Sequence, residues 1–172
     1  HHRPRQAVRH VPRAHPEGLS TTVLDAIGGW PGAVWLRESA TAYLFVSAAH
    51  ILGIGILLGA VVPLDLRLLG WFRTFPLEVL RPFLTRCAAT GLALAILAGS
   101  WLFSVKPSEY LGNEAFRWKL VLLSLALANV GFQHWRNYSR ASQVTVATRI
   151  SAALSLCLWL SVLVAGRWIG FL

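Results

Sequence analysis

The sequence predicts an all-α membrane protein, a bundle of four transmembrane helices, and two observations carry that expectation. Of its 172 residues, 55% are hydrophobic and only 13% are charged, about half the ~25% charged share of ordinary soluble domains. Four apolar runs, each near the ~20 residues that cross a hydrocarbon core, are joined by short polar connections, so consecutive helices should run antiparallel. Nothing between the runs reads as a linker between folded units. The expected organisation is an extended basic tail over 1–22, an interfacial segment over 23–37 and the four-helix transmembrane domain over 38–172.

The tail carries Arg3, Arg5, Arg9 and Arg13 among prolines and histidines, with no apolar periodicity. The irregular spacing of His1, His2, His10 and His15 favours a solvated or partner-bound tail over a metal site. Methionine is absent, position 1 included, which implies that the translated start lies upstream. From Thr22 to Arg37 the chain mixes aliphatics and two tryptophans around a Gly-Gly-Trp-Pro break, the pattern of a segment lying in the interface.

The first span is expected from Ala40 to Leu64, the second from about Leu84 to Val105, and the fourth from about Val144 to Ala165. The third, from Trp118 or Leu120 to His134, is shortened by Lys119 and Asn129 to a length that a buried helix also fits. Trp35, Trp101, Trp118, Trp135 and Trp168 fall near span ends, where amphipathic indoles collect. Trp159, in the middle of the fourth run, reads as packing. Gly55 with Gly59, and Ala95 with Gly99, form small-xxx-small pairs that permit close helix approach.

The formal charge of +9 flanks the apolar runs, which points to lipid headgroups and away from nucleic acid. Arg67, Arg73, Arg81 and Arg86 lie between the first two runs, and Arg136, Arg140 and Arg149 between the last two. This asymmetry predicts cytoplasmic loops at 65–83 and 135–143 and both termini outside, in a bacterial inner membrane. Cys87 and Cys157 fall in or beside spans and read as small packing residues.

An ionisable side chain at membrane depth must be paired, ligated or beside water. His50 lies within the first span next to Ala48, Ala49 and Gly53, and His134 closes the third. Two histidines on separate helices of a bundle suit the axial ligation of one haem b, with Arg67 or Lys119 near its propionates or near a quinone. Depth counts against the pair, since His50 lies ~18 Å and His134 ~26 Å below the starts of their helices. The alternative is two polar contacts between helices. Asp65 and Arg67, two apart, do not share a helix face, so they seek different partners, such as a neighbouring span and a lipid phosphate, and the favoured reading is an interfacial anchor. Lys119 is expected to snorkel to the interface, the alternative being to face inward towards Asp65 or a substrate anion, and Asn129 to join helices. No phosphate loop, HExxH, CxxC or GxSxG occurs, which argues against a hydrolase or an ATP-driven pump.

The segments AAHILGIGILLGAVV, PLDLRLLG, ATGLALAILAG, NEAFRWK and ALANVGFQH together resemble a family of uncharacterised bacterial four-helix integral membrane proteins, over residues 35–165. The resemblance implies the fold and little about activity. More distantly the chain is similar to b-type cytochromes and copper-resistance membrane domains, which use intramembrane histidines. With only His50 and His134 inside the spans, at most one bis-histidine haem is implied. Two functions are expected from these features. One is a haem subunit passing electrons between quinone and a redox partner; the other is a non-catalytic accessory or assembly subunit of a larger membrane protein complex. Copper or proton handling through the same histidines is a third.

Overall fold

The computed structural model describes residues 16–138 and 144–169, and every regular element among them is a helix. The interfacial segment is two helices, α1 (Pro16–Gly29) and α2 (Pro31–Glu38), broken where the sequence places Gly-Gly-Trp-Pro. Trp30 is extended (φ −68°, ψ 150°), as a residue before proline prefers, and Pro31 opens α2 where a missing N–H costs nothing. α1 starts earlier than the composition suggests, so residues 16–22 are helical and not part of an extended tail. α1 packs on the chain's own α2 and α5 (Pro107–Gly112). The remainder of the tail, 1–15, lies outside the described residues.

The four spans are α3 (Ala40–Leu69), α4 (Leu77–Val105), α6 (Glu114–Tyr138) and α7 (Val146–Trp168), each long and apolar enough to cross a bilayer. The third is therefore a full-length span. α4 and α6 begin several residues before their apolar runs, because backbone hydrogen bonding continues a helix into the headgroups whatever its side chains. Side-chain caps start α3 and α7: Ser39 Oγ accepts from Ala42 N at 3.2 Å and Thr145 Oγ1 from Thr148 N at 3.3 Å. α3 ends on Gly70 at φ 110°, a left-handed turn in which Gly70 and Trp71 N–H bond to Arg67 and Leu66 carbonyls.

Taken around the bundle, the order of close approach is α4, α3, α7, α6, each antiparallel to its neighbour. α3 and α4 meet backbone to backbone. A Cβ on Gly53 would lie 2.6 Å from Ala95 N, and one on Gly91 would lie 2.5 Å from Leu57 N. Ala95 serves the helix contact expected of it, but Gly99 accommodates a side chain instead. Gly55 and Gly59 face away from the bundle, with nothing within 4 Å of the point where a Cβ would stand on either. The end of the bundle where α3 begins is its upper end, and the end holding the α3–α4 connection is its lower end.

At the upper end α1, α2 and α5 cover the bundle. Ala33 and Leu36 are buried, Leu36 packs with Ala42 and Val105, and the Trp101 indole donates to Gly32 O at 3.0 Å. Arg37 donates to Gly28 O at 2.7 Å and so closes the end of α1. Phe103, Tyr110 and Phe116 form an aromatic cluster joining α4, α5 and α6. Burial and the neighbouring Tyr43 hydroxyl push the Tyr110 phenol above its ordinary range.

Candidate functional site

The bundle interior is layered: a basic level in the upper half, an apolar plug in the middle and an acidic and amide level below. In the upper level His50 Nδ1 lies 2.8 Å from Ala95 O. A carbonyl oxygen only accepts, so Nδ1 carries a proton, and in a neutral imidazole so held Nε2 is the lone pair. Gly99 makes room for the ring, since a Cβ there would meet His50 Cε1 at 2.8 Å. Lys119 acts electrostatically on His50 from α6, and its stem lies over Gly166 of α7, whose Cβ position is 3.5 Å from Lys119 Cε and Nζ. The lysine is half-buried between α6 and α7, five residues into α6, and no ion pair among the described residues involves it.

The structure does not bring the two span histidines together. His50 is ten residues into α3 and His134 twenty residues into α6, ~15 and ~30 Å below the upper ends at 1.5 Å per residue. His134 is exposed near the lower end. A shared iron holds its two imidazole nitrogens ~4 Å apart, so the His50 and His134 haem does not fit this arrangement. The imidazole of His50 is, in addition, packed against α4 at Gly99. No group of three or more His, Cys, Asp or Glu among the described residues is placed to hold a metal ion.

Arg67 is also used elsewhere than expected. Its guanidinium donates to Phe75 O at 3.0 Å and Arg73 O at 3.4 Å, so it ties down the α3–α4 connection. A haem propionate or a quinone at Arg67 would have to displace these bonds.

The plug consists of Leu57, Val61, Ala126 and Trp159, with Leu92, Leu123 and Leu127 against it. Below it, Ser151 Oγ donates to Asn129 Oδ1 at 2.8 Å, and Asn129 Nδ2 donates back to Ser151 O at 3.1 Å, with Gln133 Nε2 on the same carbonyl at 3.3 Å. This reciprocal pair fastens α6 to α7, the role expected of Asn129. Asp65 faces the same level from α3. It is 3% exposed, the Ser155 hydroxyl donates to it, and its Oδ2 has no hydrogen-bond partner. An interfacial anchor would reach headgroups; this carboxyl is covered by α7.

Two surface grooves of about 490 and 680 Å³ flank the upper half, one between α6 and α7 beside Trp118 and Trp168, the other on α3 and α4 beside Phe45 and Trp101. Neither is lined by His50, Lys119 or Asp65. Comparison with protein families, with curated proteins and with solved structures finds no match to this chain.

Proposed function

We propose that the chain is a non-catalytic accessory or assembly subunit of a larger membrane protein complex. One observation carries this reading. Gly55 and Gly59, one turn apart on α3, present bare backbone outward with nothing near it, while the small residues that the bundle needs for itself are Gly53, Gly91 and Ala95. Ala48 and Leu52 continue the same exposed face. In lipid, where hydrophobicity does not drive helices together, such a glycine surface is what lets a second helix approach closely. The tail does not carry the reading, since residues 16–22 continue α1 on the chain's own cap. The arginines of the connections support a lower end in the cytoplasm and an upper end outside a bacterial inner membrane.

Replacing Gly55 and Gly59 by leucine is the direct test. The double variant is expected to lose co-purifying partner subunits in mild detergent while its own thermal unfolding stays within about 0.5 kcal/mol of wild type, as for surface changes. Retained partners would remove the basis of the reading, and so would an equal loss of monomer stability.

A second reading, a redox subunit, is favoured by the His50–Ala95 bond, which fixes Nδ1 as a donor to a backbone carbonyl in the way proteins orient ligating histidines. Here the ligand would be a quinone, or a haem b held by His50 and not by His134, with Lys119 beside it. Visible spectra of the purified protein, oxidised and dithionite-reduced, together with extraction of bound quinone, decide it: no α-band and no quinone leaves the assembly reading alone.

A further inference from the structure

Independently of either reading, we infer that Asp65 is a proton-exchange site, taking up and releasing a proton at the lower face through the polar seam between α6 and α7. The carboxyl is 3% exposed, and Oδ2 lacks a partner. The indole Nε1–H of Trp159, 2% exposed and one turn from Ser155 on the same face of α7, lacks one too. One buried acceptor and one buried donor thus stand unpaired in the same core, and buried polar groups are seldom left so without a role. An ionised Asp65 needs donors, and the Ser155 hydroxyl is the one at its side.

The site suits a proton better than a metal ion. Calcium takes six to eight oxygen ligands and magnesium six, whereas Asp65 and Ser155 supply oxygens from two side chains only, and an indole N–H would point its positive end at a cation. The proton needs one oxygen. Among the described residues no basic group forms an ion pair with Asp65. Arg67 is committed to Phe75 and Arg73 carbonyls. On α4, Arg81 is half-buried and Arg86 exposed, with the Cys87 thiol half-buried; on α6, His134 is exposed; on α7, Arg149 and Cys157 are exposed. None of these forms an ion pair with Asp65 among the described residues.

The route is laid out on α7 and α6. Ser155 and Ser151 lie one turn apart on a common face, Ser151 is bonded to Asn129, and Gln133 reaches the Ser151 carbonyl from a half-buried position nearer the lower end. Above Asp65 the apolar plug blocks continuation towards His50 and Lys119. The step is proton transfer alone: hydronium at the lower face gives its proton to the ionised carboxyl and leaves as water, and release is the reverse.

The test is infrared difference spectroscopy of the full chain in phosphatidylcholine vesicles of known orientation, with pH stepped on one side at a time. Wild type should show the carbonyl stretch of a buried carboxylic acid that disappears on alkalinisation from the lower side, and Asp65→Asn should lose that band. Asp65→Glu, which keeps the acid should the amide variant fail to fold, should shift it. Ser151→Ala should slow its exchange in D₂O. Glu109 and Glu114 are largely exposed and paired with Lys106 and Arg117, so neither supplies a buried-acid band. A band identical in folded wild type and Asp65→Asn, a band that never responds to pH, or one that follows only the upper side overturns the inference.

Discussion

Gly53→Leu is expected to separate α3 from α4 and to unfold the bundle in detergents that leave wild type intact. The obstacle to any side chain at position 53 is backbone: Ala95 N at 2.6 Å and Gly91 O at 2.9 Å from the first carbon it would add. Backbone within a helix cannot swing aside as a side-chain tip can. Ordinary overpacking costs about 1–3 kcal/mol, and here the whole crossing must open, so a loss at or above ~3 kcal/mol is expected. Reversible unfolding followed by helical circular dichroism measures it. Gly55→Leu, two residues away, is the control and should leave the monomer unchanged; equal losses would mean that the two faces of α3 are wrongly distinguished.

Trp159→Ala is the second large effect, with an expected loss of about 3–5 kcal/mol, the range for emptying a buried aromatic site. Trp159 is 2% exposed and sits between Leu57 and Ala126 in the plug. Lipid is as apolar as the core, so the loss comes from the unfilled volume and not from transfer to water. Trp159→Phe separates the ring from its polar handle. It keeps most of the volume and removes a donor that has no partner, so it should stay within about 1 kcal/mol of wild type. If phenylalanine proves as damaging as alanine, the indole N–H is engaged after all.

The spans are legible in the sequence because each apolar run is long, and the indoles at their ends mark the boundaries. The faces are not. A helix that is apolar all round carries no amphipathic stripe, so nothing in the order of residues says that Gly53 turns inward while Gly55 and Gly59 turn out. The nearness of Asp65 to the end of its apolar run suggests an anchor, but α3 continues to Leu69 and α7 covers the carboxyl. His50 stands out in the sequence alone, and residue counting already disfavours its pairing with His134. What counting cannot supply is the carbonyl of Ala95, which lies 45 positions away and fixes the tautomer. The Lys119 stem lies over Gly166, which leaves room for it, a complementarity between helices that sequence separation hides.

The fastenings within α3–α4 and within α6–α7 are of different kinds, interlocked glycines in the first and a reciprocal amide–hydroxyl pair in the second. Each hairpin therefore holds its own register before the other is present. During synthesis the first hairpin can leave the insertion machinery as a finished piece and wait in the bilayer, and the second can join it later through α7. By the same logic the chain is divisible: severed between α5 and α6, its two halves made separately would find each other in the membrane, the contact of α3 with α7 serving as the seam.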